Sequence, residues 1–238
     1  MFYNLVMDRK ELAGMIDQTL LSPLATDEQV ERFCLEALEY GFASVCINPV
    51  HVKKAASVLK GSGTKVCTVV DFPLGAGGEK SKISQADICL DDGAEELDFV
   101  IDLSLVKTQR WDLLGSQLKN IQSSVREKNP NAVTKLILET CVLSDEEIVS
   151  SCRSAMEAGF GFVKTSTGFY VAKDRDGKLL PNGATVHAVS LMRKTVGESM
   201  GVKASGGIHT TKQALDLIEA GASRIGASAG VQIVDGLK

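Results

Sequence analysis

A repeated junction constrains the fold of this chain more than any other feature of its sequence. Four amphipathic, helix-like stretches end at a glycine and pass directly into an apolar run, with the glycines at Gly41, Gly93, Gly159 and Gly221. Glycine suits the left-handed position that follows a helix. The four glycines are 52, 66 and 62 residues apart, which corresponds to two strand–helix units each time. This spacing predicts alternating β/α units and therefore a parallel sheet.

Eight strand-like runs alternate with these helix-like stretches. They are Ile16–Leu21, Ala43–Ile47, Lys65–Val70, Glu96–Ile101, Val133–Leu138, Gly161–Thr165, Val202–Ser205 and Arg224–Ala227. Eight units in 238 residues of uniform composition favour an α/β fold with a single (β/α)8 TIM barrel over residues 1–238. An open doubly wound sheet is the alternative. No G-x-G-x-x-G follows an early strand, so dinucleotide binding has little support.

Charge and composition narrow the class of partner. The net charge of -4 gives no case for nucleic acid or an anionic membrane as the main partner. No apolar run approaches the roughly 20 residues that span a bilayer. The N-terminal segment has no secretory pattern, and the six cysteines are scattered without metal-ligand spacing. We therefore expect a cytoplasmic protein with reduced thiols, no cofactor and no metal.

Ionisable residues interrupt several runs that ought to be buried. They are Asp17, Asp98, Lys135, Lys164 and Lys203. Strands of a parallel sheet are covered on both faces, and a buried charge is costly unless it is paired or neutralised. Any one of these residues could be a core ion pair, and Lys164 could simply lie past its strand and reach solvent. Because barrel enzymes place catalytic groups at the C-terminal strand ends, the set predicts one site at the barrel mouth.

Two neighbouring lysines have a specific chemical use. An ammonium group disfavours the charged form of its neighbour, which leaves more free amine. A free amine attacks an aldehyde to give an iminium, and the iminium stabilises a carbanion on the adjacent carbon. We therefore expect Lys164 to be a nucleophile with Lys203 beside it. Asp98 is a suitable acid–base group for the hydroxyl whose C–C bond breaks, acting through an ordered water.

A second pattern predicts a phosphate site. Gly206 and Gly207 follow the seventh run, while Gly226 and Ser228 belong to the end of the eighth. Barrels often bind phosphate with the loops after strands 7 and 8, since glycine lets backbone N–H groups approach the oxygens. The Ser228 hydroxyl can donate as well. The segment Phe72–Gly78 is either a further wall of the same site or a tight turn.

Together these segments resemble the deoxyribose-phosphate aldolase family. The matching segments are ASVCINP (43–49), FPLGA (72–76), LDFV (97–100), KLILET (135–140), FVKTSTG (162–168) and VKASGGI (202–208). The resemblance covers nearly the whole chain. It implies a class I, metal-free aldolase that interconverts 2-deoxy-D-ribose 5-phosphate with D-glyceraldehyde 3-phosphate and acetaldehyde in deoxynucleoside breakdown.

The resemblance also implies roles by matching position. Lys164 would form the Schiff base and Lys203 would perturb it. Asp98 would serve in the proton relay, with Asp17 and Lys135 in support. The substrate and phosphate region would be lined by Thr19, Thr167, Gly206, Gly207, Gly226 and Ser228. Cys46 is either a packing residue or a further part of this pocket. Barrels of this kind often pair, so we expect a homodimer or a higher homo-oligomer.

Four positions depart from the family pattern. Many members have histidine where Gln18 stands, arginine where His209 stands, glycine where Asp71 stands, and serine or glycine where Ala229 stands. A different, non-phosphorylated aldehyde substrate is therefore an alternative, as is a non-catalytic sugar-phosphate-binding barrel. The segment Tyr170–Pro181 is longer than in many relatives, and we expect it to form a flap or a β-hairpin.

Overall fold

Eight parallel strands form a closed barrel. The computed structural model describes residues 7–171, 176–179 and 182–237. The strands pair in chain order, and the first pairs with the last. They are β1 (Ile16–Leu20), β2 (Ser44–Ile47), β3 (Lys65–Val70), β4 (Glu96–Val100), β5 (Val133–Ile137), β6 (Phe162–Lys164), β7 (Gly201–Ser205) and β8 (Arg224–Ala227). The (β/α)8 prediction is confirmed, and the open sheet is excluded.

Helices surround this barrel. They are α1 (Arg9–Ala13), α2 (Asp27–Tyr40), α3 (Val52–Val58), α4 (Gly78–Asp91), α5 (Leu103–Lys107), α6 (Trp111–Lys128), α7 (Asp145–Ala158), α8 (Val186–Val196), α9 (Thr211–Glu219) and α10 (Gly230–Asp235). Short 3₁₀ turns occupy Pro49–His51 and Thr140–Val142. No helix in the described part of the chain is long and apolar enough to cross a bilayer.

The junction glycines have the backbone conformation that the sequence requires. Gly41, Gly93, Gly159 and Gly221 all have positive φ, at 70°, 106°, 83° and 111°. A residue with a Cβ is disfavoured in this region, which explains why glycine recurs where a helix turns into the next strand. The repeat therefore marks four of the sites at which the chain reverses direction around the barrel.

The main hydrophobic core lies between the barrel and the helices. Helix α2 shows how it forms, because Val30, Cys34 and Ala37 recur at helical spacing and are buried. Burying one side chain of the Val, Leu or Phe type contributes roughly 1.5–3 kcal/mol. The six residues 172–175, 180 and 181 lie outside the described part, so the flap or hairpin at Tyr170–Pro181 stays a prediction.

Candidate active site

The interior of the barrel holds the ionisable residues that the sequence singled out. Asp17, Asp98, Lys135 and Lys203 are fully buried, and Lys164 is 3% exposed. The sequence interpretation put these residues at strand ends, but only Lys164 ends its strand. The others occupy the second or third position of their strands. Side chains alternate along a strand, so mid-strand positions reach inward below the barrel mouth.

Asp98 is the centre of the cluster. Its Oδ1 accepts a hydrogen bond from Lys135 Nζ at 2.8 Å. Its Oδ2 accepts from both Lys164 Nζ at 2.9 Å and Lys203 Nζ at 2.8 Å. Burial alone would raise the pKa of Asp98, but the charges of the three lysines outweigh it and hold the pKa well below its usual range. Asp98 is therefore a buried anion that aligns three amines.

A second layer of ion pairs surrounds this centre. Lys203 Nζ lies 2.5 Å from Asp17 Oδ2, an ionic contact whose angles do not meet hydrogen-bond geometry. Lys135 Nζ lies 2.6 Å from Glu96 Oε2. Arg224 Nη1 donates to Asp17 Oδ1 at 2.6 Å and lies 3.4 Å from Glu96 Oε2. Sequence reasoning missed Glu96 and Arg224, because each begins its strand, where a charge commonly reaches solvent.

The pKa values of this layer follow from the same balance. Burial opposes charge on Lys203 and on Lys135, yet the nearby carboxylates raise the pKa of both lysines above the usual range. Burial likewise opposes ionisation of Asp17, and Lys203 and Lys135 nevertheless lower its pKa. These three groups therefore stay charged at neutral pH.

The cluster holds one more basic than acidic side chain. Its members are the carboxyl groups of Asp17, Glu96 and Asp98 and the basic groups of Lys135, Lys164, Lys203 and Arg224. Within the described residues, Lys164 contacts one carboxylate, whereas every other basic member contacts at least two. The charges balance if one basic group loses its proton. Lys164 is the basic group with the fewest carboxylate contacts, so this change would disrupt the fewest ion pairs at Lys164.

A cavity of about 220 Å³ opens above the cluster at the C-terminal end of the barrel. It is lined by seven residues that the sequence interpretation assigned to the site, namely Thr19, Lys164, Thr167, Gly206, Gly207, Gly226 and Ser228. Asp17, Cys46, Lys135, Asp98 and Lys203 lie beneath the cavity and do not line it. The geometry therefore indicates that Asp17, Cys46 and Lys135 do not contact a ligand in this cavity directly.

The rim of the cavity carries free backbone donors. Gly206 and Gly207 have φ of 88° and 73°, and their N–H groups have no hydrogen-bond partner among residues 7–171, 176–179 and 182–237. The same holds for the Ser228 N–H, and Ser228 is exposed. A Cβ on Gly226 would lie 3.0 Å from Lys203 Cε, so glycine there leaves room for the lysine. Unpaired N–H groups in a concave rim suit an anion.

Glu139 is a buried carboxyl beside the cavity that sequence reasoning did not single out. It follows β5, is 1% exposed and has φ of 59°. Its Oε1 and Oε2 accept from the Thr167 N–H at 3.2 and 3.3 Å, and Oε2 also accepts from the Thr167 hydroxyl. Burial raises the pKa of Glu139, although the bonds from Thr167 and the charge of Lys164 oppose the rise. The available signal was a glutamate directly after a buried strand.

Two thiols pack against the cluster. Cys46 and Cys67 are register partners on β2 and β3 and are fully buried. The Cys67 thiol donates to Asp98 Oδ1 at 3.4 Å. The ligand atoms of Cys46, Cys67 and Asp98 lie within 4.8 Å of one another. The ammonium groups already bound to Asp98 would repel a cation there.

A family model described as DeoC/LacD family aldolase matches residues 4–235. The chain belongs to this aldolase family. Among curated members, the deoxyribose-phosphate aldolase of Caldanaerobacter subterraneus subsp. tengcongensis is 50% identical over 224 residues, covering 94% of this chain and 92% of that protein. The deoxyribose-phosphate aldolase of Thermococcus kodakarensis is 47% identical over 232 residues, covering 97% and 98%.

The solved structures agree with the family assignment. The deoxyribose-phosphate aldolase of Aeropyrum pernix, whose structure is described as a unique tetramer, superposes with a TM-score of 0.85 at 34% identity. That match covers 96% of this chain and 91% of the other. A larger groove of about 540 Å³ lies between α6 and α7, but it contains none of the clustered ionisable residues. The cavity above Lys164 is therefore the better candidate for the active site.

Two of the residues that depart from the expected DeoC/LacD pattern lie away from the cavity. Gln18 accepts from the Gly230 N–H at 3.1 Å and so anchors the start of α10. Asp71 has φ of 54°, which explains why glycine is common there, and its carboxylate accepts from Gly77 N–H at 2.9 Å. It also pairs with the buried Lys82. Asp71 therefore fixes the Phe72–Gly78 loop, which does not line the cavity above Lys164.

The other two departures lie at the phosphate end. His209 lines the cavity, and its N–H donates to Gln213 Oε1 at 2.8 Å. Ala229 is the residue directly before α10. Replacing a hydroxyl or guanidinium at these positions removes donors from the rim, but the backbone N–H groups described above remain.

Proposed function

We propose that this DeoC/LacD aldolase is a class I enzyme that reversibly cleaves 2-deoxy-D-ribose 5-phosphate to D-glyceraldehyde 3-phosphate and acetaldehyde, in deoxynucleoside breakdown. One observation carries the proposal. The Lys164 amine lies at the floor of a small cavity and shares a single carboxylate oxygen with Lys203. The names of the relatives that match almost end to end support the substrate.

In the first step the amine of Lys164 adds to the C1 aldehyde of the open-chain sugar. Loss of water gives an iminium, which is the electron sink of the reaction. The amine must be free for this attack. The contacts in the cluster support Lys164 as this amine, because every other basic group is held by two or more carboxylates.

In the second step the C3 hydroxyl loses its proton and the C2–C3 bond breaks. The electron pair moves into the iminium to give an enamine, and C3 becomes the aldehyde carbon of D-glyceraldehyde 3-phosphate. Protonation of C2 and hydrolysis then release acetaldehyde and restore the amine. Asp98 lies below the cavity with a depressed pKa, so we propose that it passes a proton through a water and does not retain it.

The phosphate would occupy the rim of the cavity. The N–H groups of Gly206, Gly207 and Ser228 and the Ser228 hydroxyl provide donors at the opposite end from the amine. No described lysine or arginine lines this rim, so recognition would rest on backbone dipoles. The loss of arginine at the His209 position would lower the affinity without removing the site.

A cleavage assay with Lys164→Leu tests this proposal. Wild-type protein should form D-glyceraldehyde 3-phosphate from deoxyribose 5-phosphate, and the variant should be inactive while retaining the fold by circular dichroism. Turnover of deoxyribose without its phosphate should be much slower. Full activity in Lys164→Leu would refute the role of this lysine. Equal turnover of both sugars would instead favour the non-phosphorylated substrate class.

We also propose that residues 1–238 act as one barrel domain, in the cytoplasm, as a homodimer or higher homo-oligomer. The Aeropyrum pernix relative described as a tetramer supports self-association. The six cysteines are free, and five of them are buried, which suits a reducing compartment. Light scattering coupled to size exclusion would give the mass; a monomer at micromolar concentration would contradict the assembly.

A further inference from the structure

Glu139 is held in a conformation that needs an explanation. Its φ of 59° and ψ of 59° lie in the left-handed region, which costs a non-glycine residue free energy. Its side chain is buried, and no described lysine or arginine forms an ion pair with it. A strained backbone and a desolvated carboxyl at one residue, directly beside the cavity, are typical of a residue that is kept for function.

The hydrogen bonds between Glu139 and Thr167 indicate what that function is. The Thr167 hydroxyl donates its one proton to Glu139 Oε2. The Thr167 hydroxyl oxygen also accepts a hydrogen bond from the Phe169 N–H at 3.1 Å. The Thr167 N–H also donates to both oxygens of Glu139. A hydroxyl has one proton and two lone pairs, so one lone pair remains.

The remaining lone pair sets what Thr167 can do in the cavity that it lines. With its proton committed to Glu139, the hydroxyl cannot donate to a ligand and can only accept. A hydroxyl group on the substrate can donate to it. A methylene group at the same place would leave the lone pair desolvated and unpaired, which is unfavourable in a buried site. Thr167 is 7% exposed, so little water reaches it as a substitute.

We propose that Glu139 is a positioning residue that fixes the Thr167 hydroxyl as an acceptor, so that the site selects an aldehyde bearing a hydroxyl on the carbon next to its carbonyl. This inference rests on the proposed function, in which an enamine on Lys164 meets a second aldehyde in the cavity. It adds a source of specificity that is separate from the phosphate rim, because Thr167 and Ser228 belong to different loops.

The test follows the reaction in the direction of aldol addition. Acetaldehyde is the donor, and the two acceptor aldehydes that are compared differ by one hydroxyl. These are D-glyceraldehyde 3-phosphate and 3-phosphooxypropanal. For the wild type we expect kcat/KM to favour the hydroxylated aldehyde by about ten-fold or more. Thr167→Val should bring this ratio close to one, and Thr167→Ser should restore it. Glu139→Gln should lower the ratio by at least about three-fold, since an amide N–H replaces one acceptor.

The controls separate positioning from damage. Thr165→Val is matched, because the Thr165 hydroxyl is buried two residues away, donates to Ser205 O at 3.1 Å and does not line the cavity; its ratio should stay at the wild-type value. Adding Glu139→Gln to Thr167→Val should change the ratio no further. Equal losses with both aldehydes in Glu139→Gln would overturn the inference. Failure of wild type to form a reducible imine would overturn both it and the proposed function.

Discussion

Lys164 and Lys203 hold the same atom: their Nζ atoms lie 2.9 and 2.8 Å from Oδ2 of Asp98. They are register partners on β6 and β7, so the barrel itself fixes this arrangement. Two ammonium groups at one oxygen repel each other, and the arrangement is most stable when one of them is a neutral amine. The chemistry of the site follows from this shared oxygen.

Removing Lys203 should impair imine formation more than it impairs folding. In Lys203→Met the Asp98 Oδ2 atom bonds Lys164 alone, so the Lys164 amine is less available to attack the aldehyde. We expect the rate of imine formation with acetaldehyde at pH 7 to fall by about ten-fold or more. Stopped borohydride trapping measures this rate. Lys212→Met, at an exposed ion pair on α9, is the control and should match wild type. An unchanged rate in Lys203→Met would show that the second lysine is dispensable.

The buried carboxylates should make stability fall in acid. The pKa values of Asp17 and Asp98 are lower in the folded protein than the value of about 3.9 in an unfolded chain. Their contribution is therefore complete above about pH 4 and is lost as the pH falls through the folded values. Urea denaturation between pH 5 and pH 2 should show this loss.

The variant Asp98→Asn tests whether Asp98 is responsible for the loss of stability at low pH. It should unfold with about 3–5 kcal/mol less free energy at pH 7, because it leaves buried ammonium groups without their partner. Its stability should also vary less with pH than that of wild type. Parallel pH profiles for the two proteins would mean that Asp98 is not the group that titrates.

Asp71 should stabilise the chain despite its unfavourable backbone. Asp71→Gly relieves the positive φ but leaves Lys82, which is 1% exposed, without its counter-ion. We expect a net loss of about 3 kcal/mol in the free energy of unfolding. Asp71→Gly with Lys82→Met should recover most of it in a double-mutant cycle. A stabilising single substitution would show that backbone strain outweighs the ion pair.

Ser228 should discriminate phosphorylated from free sugar. In Ser228→Ala the hydroxyl is lost but the backbone N–H remains, so KM for deoxyribose 5-phosphate should rise about five- to ten-fold. The KM for deoxyribose should not change, and this second substrate serves as the internal control. Equal changes with the two sugars would move the phosphate away from this loop.

Much of the barrel could be predicted from sequence because its signals are local. The glycine junctions and apolar runs located all eight strands, with β6 shorter than expected at Phe162–Lys164. The convergence of Lys164, Lys203 and Asp98 could also be predicted, since parallel strands of a barrel bring their inward residues together. The depth of each side chain within the barrel could not be predicted, because it depends on register and strand tilt. Lys135 and Asp17 were therefore expected in the substrate site, and they lie beneath the cavity.

The remaining features depend on contacts between distant segments. Arg224 reaches Glu96 across the barrel, 128 positions away in sequence, and no pattern in either segment indicates the pair. Glu139 requires knowledge of its own φ and of the Thr167 hydroxyl. Gln18 looked like a change in the site and instead points outward to Gly230. Side-chain direction, which alternates with every residue of a strand, decided the case of Gln18 on β1.

Reductive trapping tests directly whether Lys164 forms the imine. Wild-type protein is incubated with acetaldehyde and reduced with sodium borohydride, and the adduct is located by peptide mass spectrometry, with Lys164→Leu treated in parallel. We expect one ethyl group on the peptide carrying Lys164 and none on that of Lys203, with the modification absent from the variant. An ethyl group on Lys203 or Lys135, or recovery of Lys164 from wild type without any ethyl group, would contradict this assignment.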